Sequence, residues 1–334
     1  MEGFGFATGY DPTMTVREMA RWMKAAEDRG FKMGFFSETI ELNRDSVTAL
    51  TAAGLATETL TLGCTQTVRI RNPLVMAQTL AALDELTNGR MTLSPGACTN
   101  THAARYGIEE LKPPLTLTEW VEAIRVILKG EESSYHGDFV NFDGARLSFT
   151  PYRNHIPMLI PATSTTGLRL AGRIGDGVML NAVCSPEYSA NALKLLRQSV
   201  EESGRNWDNF QVAQIVNCSI EDTHAAAVDA MRWEVATKFD PIQMPFIAGP
   251  KMRVGEPYIR ESDLPGFIEA WERGGKEALV KAVPDSYIEG MTAVGTPEEV
   301  QDKVAKYHEV GVHMTVLRPA ARHQTQRLLD LFAA

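Results

Sequence analysis

The sequence has neither a long hydrophobic run nor the pattern of an N-terminal leader. No stretch approaches the ~20 consecutive apolar residues that cross a bilayer, although 44% of the 334 residues are hydrophobic. The first residues, MEGFGFATGYDP, lack the basic region and apolar run of a secretory signal. We therefore expect a soluble protein with a large core, a cytoplasmic location and no membrane partner.

Cysteine and positive charge are also scarce. The four cysteines are widely spaced, with no CxxC pair, at Cys64, Cys98, Cys184 and Cys218. We therefore expect reduced thiols and predict no metal site. The net charge of -9 argues against a nucleic-acid partner. A small anionic ligand remains compatible with this charge, because local backbone amides can bind one.

The stretch from Thr61 to His102 is typical of a βαβ unit. A helix opened by Pro73 separates two predicted strands, Thr61–Cys64 and Met91–Leu93. Parallel strands joined in this way place the loops that follow them at the same carboxyl end of the sheet. Barrels and open sheets bind their ligands at this end, so we expect the functional site here.

Eight predicted strands, each followed by a helix, match the count of a (β/α)8 TIM barrel. They start near Gly3, Phe31, Thr61, Met91, Pro157, Gly177, Phe210 and His313. Turn signals within residues 133–149 predict a β-hairpin insertion after the fourth βα unit. Residues 239–287 predict a helical insertion before the last strand. We therefore predict an α/β fold in which residues 1–334 form a single barrel domain; a doubly wound sheet is the alternative.

Two helix starts are clear local signals. Thr15 followed by Glu18 has the spacing of a capping box. Thr296 precedes Pro297 and two acidic residues, which suit the first turn and the positive end of a helix. We predict helices that begin at these two threonines.

Segments spread over nearly the whole chain closely resemble the bacterial luciferase-like superfamily. They are GFATGYDP, AAEDRGF, LGCTQTV, MAQTLAALDELTNGRMTLSPGA, AGRIGDGVMLNA, GTPEEVQDKV and GVHMTVLRP. The NRDSVTAL segment looks most like the deazaflavin-dependent branch, which includes methylenetetrahydromethanopterin reductase. The resemblance implies a TIM barrel, coenzyme F420 as the cofactor, and a homodimer or higher homo-oligomer. FMN is the alternative cofactor, because FMN monooxygenases share the barrel.

The resemblance also implies a cofactor ring over the barrel mouth. In deazaflavin enzymes a non-prolyl cis peptide forms a bulge behind the ring, and the matching position here is Thr65-Gln66. An ordinary strand-to-loop turn is the alternative. Gly96, Ala97 and Cys98 would pass beside the cofactor, with Cys98 as a small packing residue rather than a nucleophile.

A second loop has the composition of a phosphate site. It consists of Ala162, Thr163, Ser164, Thr165, Thr166 and Gly167. Its small residues allow close approach, its hydroxyls can donate, and the N-terminus of the following helix favours an anion. A plain capped loop is the alternative, because Ser and Thr are common N-caps. Asn181 is a further candidate for cofactor contact, with the role of a turn asparagine as its alternative.

Three residues at the carboxyl ends of strands are candidates for acid or base chemistry: Glu38, Glu41 and His102. A hydride transfer that leaves an alkoxide or amide needs a proton donor within hydrogen-bond reach. Glu38 could instead accept hydrogen bonds from the N–H groups of a cofactor ring. A solvated loop acid is the alternative role for Glu41, and a cap of the next segment is the alternative for His102.

The chain departs from the family at the expected acid and base groups. The resemblance implies Asp-His where this chain has Glu38-Thr39, a glutamate at Thr99, and in the methanopterin reductase an acid at Phe6. These departures argue against assigning either the alcohol or the pterin chemistry directly.

Two further groups of residues have open roles. Arg69 and Arg71 could pair with an acidic cofactor tail or substrate. Substrate contact or packing of the insertion is open for Met244, Phe246, Met252 and Trp271.

These features lead to the hypothesis of an oxidoreductase that transfers a hydride between F420 and a small organic substrate. An imine, an activated alkene and an alcohol or carbonyl are the substrate classes considered. The alternatives are an FMN-dependent two-component monooxygenase and a non-catalytic flavin-binding barrel.

Overall fold

The structure is a computed structural model, and it describes residues 3–9, 11–38, 43–68, 70–96, 104, 107, 112–241, 244 and 259–334. The strands are β1 (Gly3–Thr8), β2 (Met33–Phe36), β3 (Thr61–Thr67), β4 (Met91–Gly96), β5 (Ser133–His136), β6 (Asn141–Ala145), β7 (Leu159–Pro161), β8 (Gly177–Leu180), β9 (Gln211–Ile220), β10 (Ala293–Gly295) and β11 (Met314–Pro319). The helices are α1 (Val16–Glu27), α2 (Ser46–Ala56), α3 (Pro73–Leu86), α4 (Pro113–Leu128), α5 (Thr165–Ile174), α6 (Pro186–Glu202), α7 (His224–Ala236), α8 (Leu264–Ala282), α9 (Asp285–Met291), α10 (Pro297–Glu309) and α11 (Thr325–Leu331). Their order is the alternation predicted from the sequence, with a hairpin and a helical segment added.

The first of two compact units comprises residues 8–161 and 174–177. Its strands β2, β3 and β4 run parallel, and Met33 pairs with Thr61. Beyond β4, the amide of Leu93 donates to the carbonyl of Pro157 at 3.0 Å, and Ser94 Oγ donates to the carbonyl of Leu159 at 2.7 Å. Strand β7 therefore follows β4 in this unit.

The turn between α3 and β4 is held by buried polar contacts. Asn88 and Gly89 have φ values of 52° and 81°, the left-handed conformation that ends a helix. Arg90 donates at 2.7 to 3.2 Å to the backbone carbonyls of Gly54, Thr57, Leu60 and Thr87. The fully buried Asp84 pairs with Arg153 at 2.5 Å. These contacts fix the amino end of β4 against the helices of its own unit.

Strands β5 and β6 form the antiparallel hairpin that was predicted within residues 133–149. Glu119 on α4 anchors the turn, because its carboxylate accepts hydrogen bonds at 2.7 to 2.9 Å from the amides of Asp138, Phe139 and Val140. Gly137 lies so close to this carboxylate that a Cβ would be 2.4 Å from Glu119 Oε2. A side chain at position 137 would therefore displace this carboxylate or the turn.

The second unit comprises residues 1–7, 162–173 and 178–334. In its sheet β11 lies between β1 and β9, and Met314 pairs with Gly3 on one side and with Ala213 on the other. Strand β8 flanks β9. The short β10, which was not predicted, runs parallel to the end of β9, with Ala293 opposite Cys218.

The predicted helical insertion 239–287 contains α8, and α9 begins within it and ends at Met291. Helices α7, α8 and α9 share a hydrophobic core whose largest members include Met231, Phe239, Phe267, Tyr287 and Ile288. The rings of Phe239, Phe267 and Tyr287 contact one another with centroids 5.0 to 5.8 Å apart. Met244 is buried in this core and Trp271 packs against it, so these two residues pack the insertion. Phe246 and Met252 lie outside the described residues.

Both predicted helix starts are confirmed. Thr15 Oγ1 accepts from the amide of Glu18 at 3.3 Å, and Glu18 Oε2 accepts from the amide of Thr15 at 2.8 Å, which completes a capping box. The amide of Thr296 donates to Glu299 Oε2 at 2.8 Å. Within the described residues, no helix is long and apolar enough to cross a membrane. The assignment of residues 1–334 to a single domain stays a prediction.

Candidate functional site

Glu38 follows β2 and is held by two donors. Its Oε1 accepts a hydrogen bond from Ser46 Oγ at 3.1 Å and lies 3.5 Å from Arg71 Nη2. Only 11% of its side chain is exposed. Because a hydroxyl donates to it and a guanidinium forms an ion pair with it, the arrangement suits a carboxylate that acts as an acceptor.

Gln66 in β3 connects Ser46 to Arg71. Its side chain is fully buried. Its Nε2 donates to Ser46 Oγ, and its Oε1 accepts from Arg71 Nε at 3.1 Å. The Ser46 hydroxyl therefore accepts from Gln66 and donates to Glu38, so the hydrogen bonds run in one direction.

The prediction of a cis peptide bond at Thr65-Gln66 is wrong. No peptide bond in the described part of the chain is cis. Strand β3 continues to Thr67, and Thr65 and Gln66 pair in register with Ser94 and Pro95 of β4. A regular parallel ladder is thus sufficient to direct the Gln66 side chain towards Ser46.

Arg71 is bound within the chain. It contacts Glu38 and Gln66, and its Nη2 also donates to Asp45 Oδ2 at 2.5 Å. Burial alone would raise the pKa of Asp45, but hydrogen bonds from Thr48 and the charge of Arg71 outweigh it and lower that pKa. We call Glu38, Asp45, Ser46, Gln66 and Arg71 the Glu38 cluster. Within it Arg71 contacts the carboxylates of Glu38 and Asp45, and its pairing with a ligand stays a prediction.

Gly96 in β4 and Cys64 in β3 belong to the ladder that contains Gln66. A Cβ at Gly96 would be 3.6 Å from Thr65 Cγ2 and 3.7 Å from the Gln66 carbonyl oxygen, which are ordinary contacts. Among the described residues, packing therefore does not require glycine at this position. Burial raises the pKa of the Cys64 thiol to about 12, so it is not a nucleophile.

The loop 162–167 of the second unit leads into α5. Ser164 Oγ accepts from the amide of Gly167 at 3.1 Å, as a helix cap does. Tyr188 OH donates to the carbonyl of Thr163 and ties the loop to α6. This is the capped loop that was the alternative, and it is compatible with a phosphate site because other first-turn amides of a helix have no intrahelical acceptor.

Asn181 follows β8 and is exposed. Its Oδ1 accepts from the amide of Ala182 at 2.6 Å. This contact is the one expected of a turn asparagine, and a role in cofactor binding stays a prediction.

Several predicted site residues lie outside the described residues: Glu41, Arg69, Ala97, Cys98, Thr99 and His102. Their roles stay predictions. The resemblance implies an acid of the methanopterin reductase at the position of Phe6. Phe6 is fully buried in β1, so an apolar side chain occupies this position.

The second unit contains a polar cluster that was not predicted from the sequence. Arg318 Nε donates to Asn217 Oδ1 at 2.6 Å, and its Nη2 donates to Glu234 Oε1 at 2.7 Å. Lys238 Nζ lies 3.2 Å from the same Glu234 oxygen. We call these four residues the Arg318 cluster. Its sequence signal is weak: one polar residue near the end of each of two strands, QVAQIVNCSI and MTVLRP.

Comparisons with known proteins extend over almost the full chain. The sequence profile of the family described as luciferase-like monooxygenase matches residues 3–314. The 5,10-methylenetetrahydromethanopterin reductase of Archaeoglobus fulgidus is 28% identical over 318 residues, which cover 93% of this chain and 92% of that protein. The F420-dependent glucose-6-phosphate dehydrogenase of Nakamurella multipartita is 27% identical, covering 94% of this chain and 90% of that protein.

A solved structure shows the fold. The coenzyme F420-dependent tetrahydromethanopterin reductase of Methanopyrus kandleri matches with a TM-score of 0.83 and 23% identity, over 99% of this chain and 96% of that one. The predicted (β/α)8 barrel is confirmed, and the doubly wound sheet is excluded.

Proposed function

Because the chain belongs to the luciferase-like monooxygenase family, we propose that it is an oxidoreductase that transfers a hydride between coenzyme F420 and a small organic substrate. The observation that carries this proposal is its similarity, over 94% of the chain, to an enzyme named as F420-dependent. The substrate is an imine, an activated alkene, or an alcohol or carbonyl. We do not transfer the relatives' own substrates, because Thr39, Thr99 and Phe6 replace acid or base groups that the resemblance implies.

Each unit, considered by itself, contains groups that suit a part of such a cofactor. In the first unit, Glu38 offers a carboxylate to ring N–H groups, and Gly96 leaves its backbone open to close approach. In the second unit, the hydroxyls of loop 162–167 and the first turn of α5 suit a phosphate. A bound deazaflavin would supply the carbon that gives or accepts the hydride. The protein's own residues would bind and orient it and hold a proton donor near the substrate.

Within this function, Glu38 binds the cofactor and does not donate the substrate proton. Its described contacts, from Ser46 and Arg71, all reach Oε1. This leaves Oε2 for an N–H group of a ligand. A proton donor would then be another group, for which Glu41 and His102 stay the candidates.

The experiment is a titration of the purified protein with oxidised F420 and, in parallel, with FMN, followed by fluorescence. We expect saturable binding of F420 and weaker binding of FMN. The Glu38→Gln variant should bind F420 roughly tenfold more weakly, the loss expected when a hydrogen bond to a charged group is removed. Its kcat at saturating F420 should change much less.

The matched control is Glu131→Gln, which removes an exposed carboxylate from the same unit. It should bind F420 like the wild type. Absence of F420 binding by the wild type would contradict the proposed function. Unchanged F420 affinity with a collapsed kcat in Glu38→Gln would contradict the role of Glu38 as an acceptor.

An FMN-dependent monooxygenase is the second candidate, favoured by the description of the family whose profile matches. It predicts oxygen consumption when reduced FMN and an organic substrate are supplied, with oxygen inserted into the product. Oxygen uptake equal to that of reduced FMN alone would exclude it.

We further propose that the protein is a cytoplasmic homodimer. Leu55 on α2 and Val75 and Leu86 on α3 are 72%, 51% and 40% exposed, and they lie on helices that contact each other. Exposed apolar side chains on adjoining helices would provide the association surface of such a dimer. The described cysteines Cys64, Cys184 and Cys218 are free thiols, which agrees with a reducing compartment.

A further inference from the structure

Asn217 has a buried hydrogen-bond donor without an acceptor. Its side chain is 1% exposed, and its Oδ1 is occupied by Arg318 Nε at 2.6 Å. For its Nδ2, no acceptor is within hydrogen-bond distance in the described part of the chain. The side-chain amide of Asn217 cannot take the flipped orientation. Nδ2 would then face the N–H of Arg318, and two donors would oppose each other. Buried donors are normally paired, so an acceptor from outside the chain is the expected explanation.

The missing acceptor would lie beside positive charge. Oδ1 and Nδ2 of Asn217 share one carbon, so an atom bound to Nδ2 is a close neighbour of the guanidinium that binds Oδ1. Glu234 is contacted by both Arg318, at 2.7 Å, and Lys238, at 3.2 Å. One carboxylate therefore faces two cations. An anionic oxygen gains more from such surroundings than a water molecule does.

The exposure of the side chains in the Arg318 cluster decreases from the surface to the interior. The side chains of Glu234 and Lys238 are 37% and 29% exposed, and that of Arg318 is 12% exposed. Asn217 forms its buried end. Asn217 and Arg318 are directly paired across β9 and β11, close to the carboxyl ends of both strands. Substrates of barrel enzymes bind at these ends.

We propose that the Arg318 cluster binds a carboxylate or phosphate group of the organic substrate. Asn217 Nδ2 donates to the anion, and the positive charges of Arg318 and of the partly exposed Lys238 attract it. The anion is the part of the substrate that anchors it, while the reacting carbon stays uncharged. The assignment to a substrate rests on the proposed function, whereas the anion site itself does not.

The test uses inorganic phosphate and acetate as probes, titrated calorimetrically into the purified full chain without cofactor. The key variant is Asn217→Asp, which keeps the oxygen that Arg318 binds and replaces the unpaired NH2 group by an oxygen of similar size. The wild type should bind one of the anions saturably. Asn217→Asp should bind it at least roughly tenfold more weakly, because a donor to a charged group is lost.

Two further variants complete the design. Asn209→Asp adds the same charge at an exposed residue of the same unit, and it should bind anions like the wild type. Lys238→Met leaves Asn217 and Arg318 untouched and should weaken binding to a smaller extent than Asn217→Asp does. F420 affinity is measured for each protein and should not change.

Several outcomes would overturn the proposal. Absence of saturable binding of both anions by the wild type would remove the site. Equal anion affinity in the wild type and Asn217→Asp would do the same. A parallel loss of F420 affinity in Asn217→Asp, with phosphate competing against F420, would assign the anion to the cofactor instead of the substrate. Failure of F420 to bind while the anion site behaves as expected would contradict the proposed function and support the site.

Discussion

The hydroxyl of Ser46 joins Gln66 to Glu38, so its removal should affect both stability and ligand binding. Ser46→Ala leaves the buried Gln66 Nε2 without this acceptor and leaves Glu38 with Arg71 and the longer contact from the amide of residue 46. We expect a loss of about 1–3 kcal/mol in the free energy of unfolding, the usual cost of an unsatisfied buried polar group. We also expect weaker F420 binding. Urea unfolding and the F420 titration measure the two effects.

Ser199→Ala is the control for this change. Ser199 is also buried, and its Oγ donates to the carbonyl of Arg169 at 2.8 Å in the second unit. It should lower stability by a comparable amount without changing F420 affinity. If Ser46→Ala bound F420 like the wild type, the Glu38 cluster would have no part in cofactor binding.

At the residue scale, the sequence suggested single candidate residues but not their partners. Glu38 was a candidate because it follows a strand, and Gln66 because the family resemblance implies a bulge at its position. Ser46 could not be connected to them, since a serine at a helix start has many uses and Gln66 lies 20 positions away. Asn217 and Arg318 are 101 positions apart and meet only through the pairing of β9 with β11. Local patterns carry no information about such contacts.

At the scale of elements, the β5–β6 hairpin depends on the small size of Gly137. In Gly137→Ala the new Cβ would collide with Glu119 Oε2, at 2.4 Å, so the turn or the carboxylate must shift and the three amide hydrogen bonds weaken. We expect a loss of about 1–3 kcal/mol, as for other overpacked sites. Thermal unfolding followed by circular dichroism measures it.

Gly266→Ala is the matched control. Gly266 lies in α8, and nothing is within 4 Å of a Cβ built there. Alanine is the better helix former, so this variant should be as stable as the wild type or slightly more stable. Equal stability of Gly137→Ala and Gly266→Ala would mean that Glu119 does not hold the turn.

His224 at the start of α7 links two other helices through carboxylates. Its Nε2 lies 3.0 Å from Glu289 on α9, and its Nδ1 lies 3.2 Å from Glu299 on α10. Glu289 and then Glu299 raise the pKa of His224. A raised pKa stabilises the fold fully below the unfolded value of about 6.5, and this contribution is lost as the pH rises through the folded value.

We therefore expect the wild type to melt above His224→Gln at acidic pH, with the difference shrinking in alkaline buffer. Melting temperatures at about pH 5.5 and pH 8.5, on either side of the unfolded value, give the comparison. His136→Gln is the control, because His136 is 66% exposed and has one exposed partner, Asp143. A difference between wild type and His224→Gln that is the same at both pH values would contradict the ion pairs.

Elements with local signals were predicted correctly, and those with non-local causes were not. Helices begin after Thr15 and Thr296, and each threonine contacts a glutamate only three residues further along the chain. Strand β10 has three residues, and it forms because its backbone pairs with that of β9. Its sequence alone therefore does not predict a strand. The core that α7 shares with α8 and α9 could not be predicted, because its contacts join residues that are far apart in the sequence.

At the scale of the molecule, the exposed apolar residues of α2 and α3 would form the interface of the proposed homodimer. Leu55→Glu combined with Val75→Glu should convert the dimer to a monomer, since charge cannot be buried without a partner. Light scattering coupled to size-exclusion chromatography measures the mass. Trp233→Glu, at an exposed apolar residue of the second unit, should leave the mass unchanged. A wild type that is already monomeric would contradict the proposal.

The contacts of Arg90 and Asp84 have a consequence for enzyme engineering. Both lie in DELTNGRMTL, a segment on which the family resemblance rests, yet their partners are backbone carbonyls, a backbone amide, the Thr57 hydroxyl and Arg153. These two side chains therefore maintain the scaffold. Transplanting the loops that carry Glu38 or Ser164 onto a distant relative should change cofactor preference without disturbing folding, provided that the aspartate and arginine of this turn are left in place.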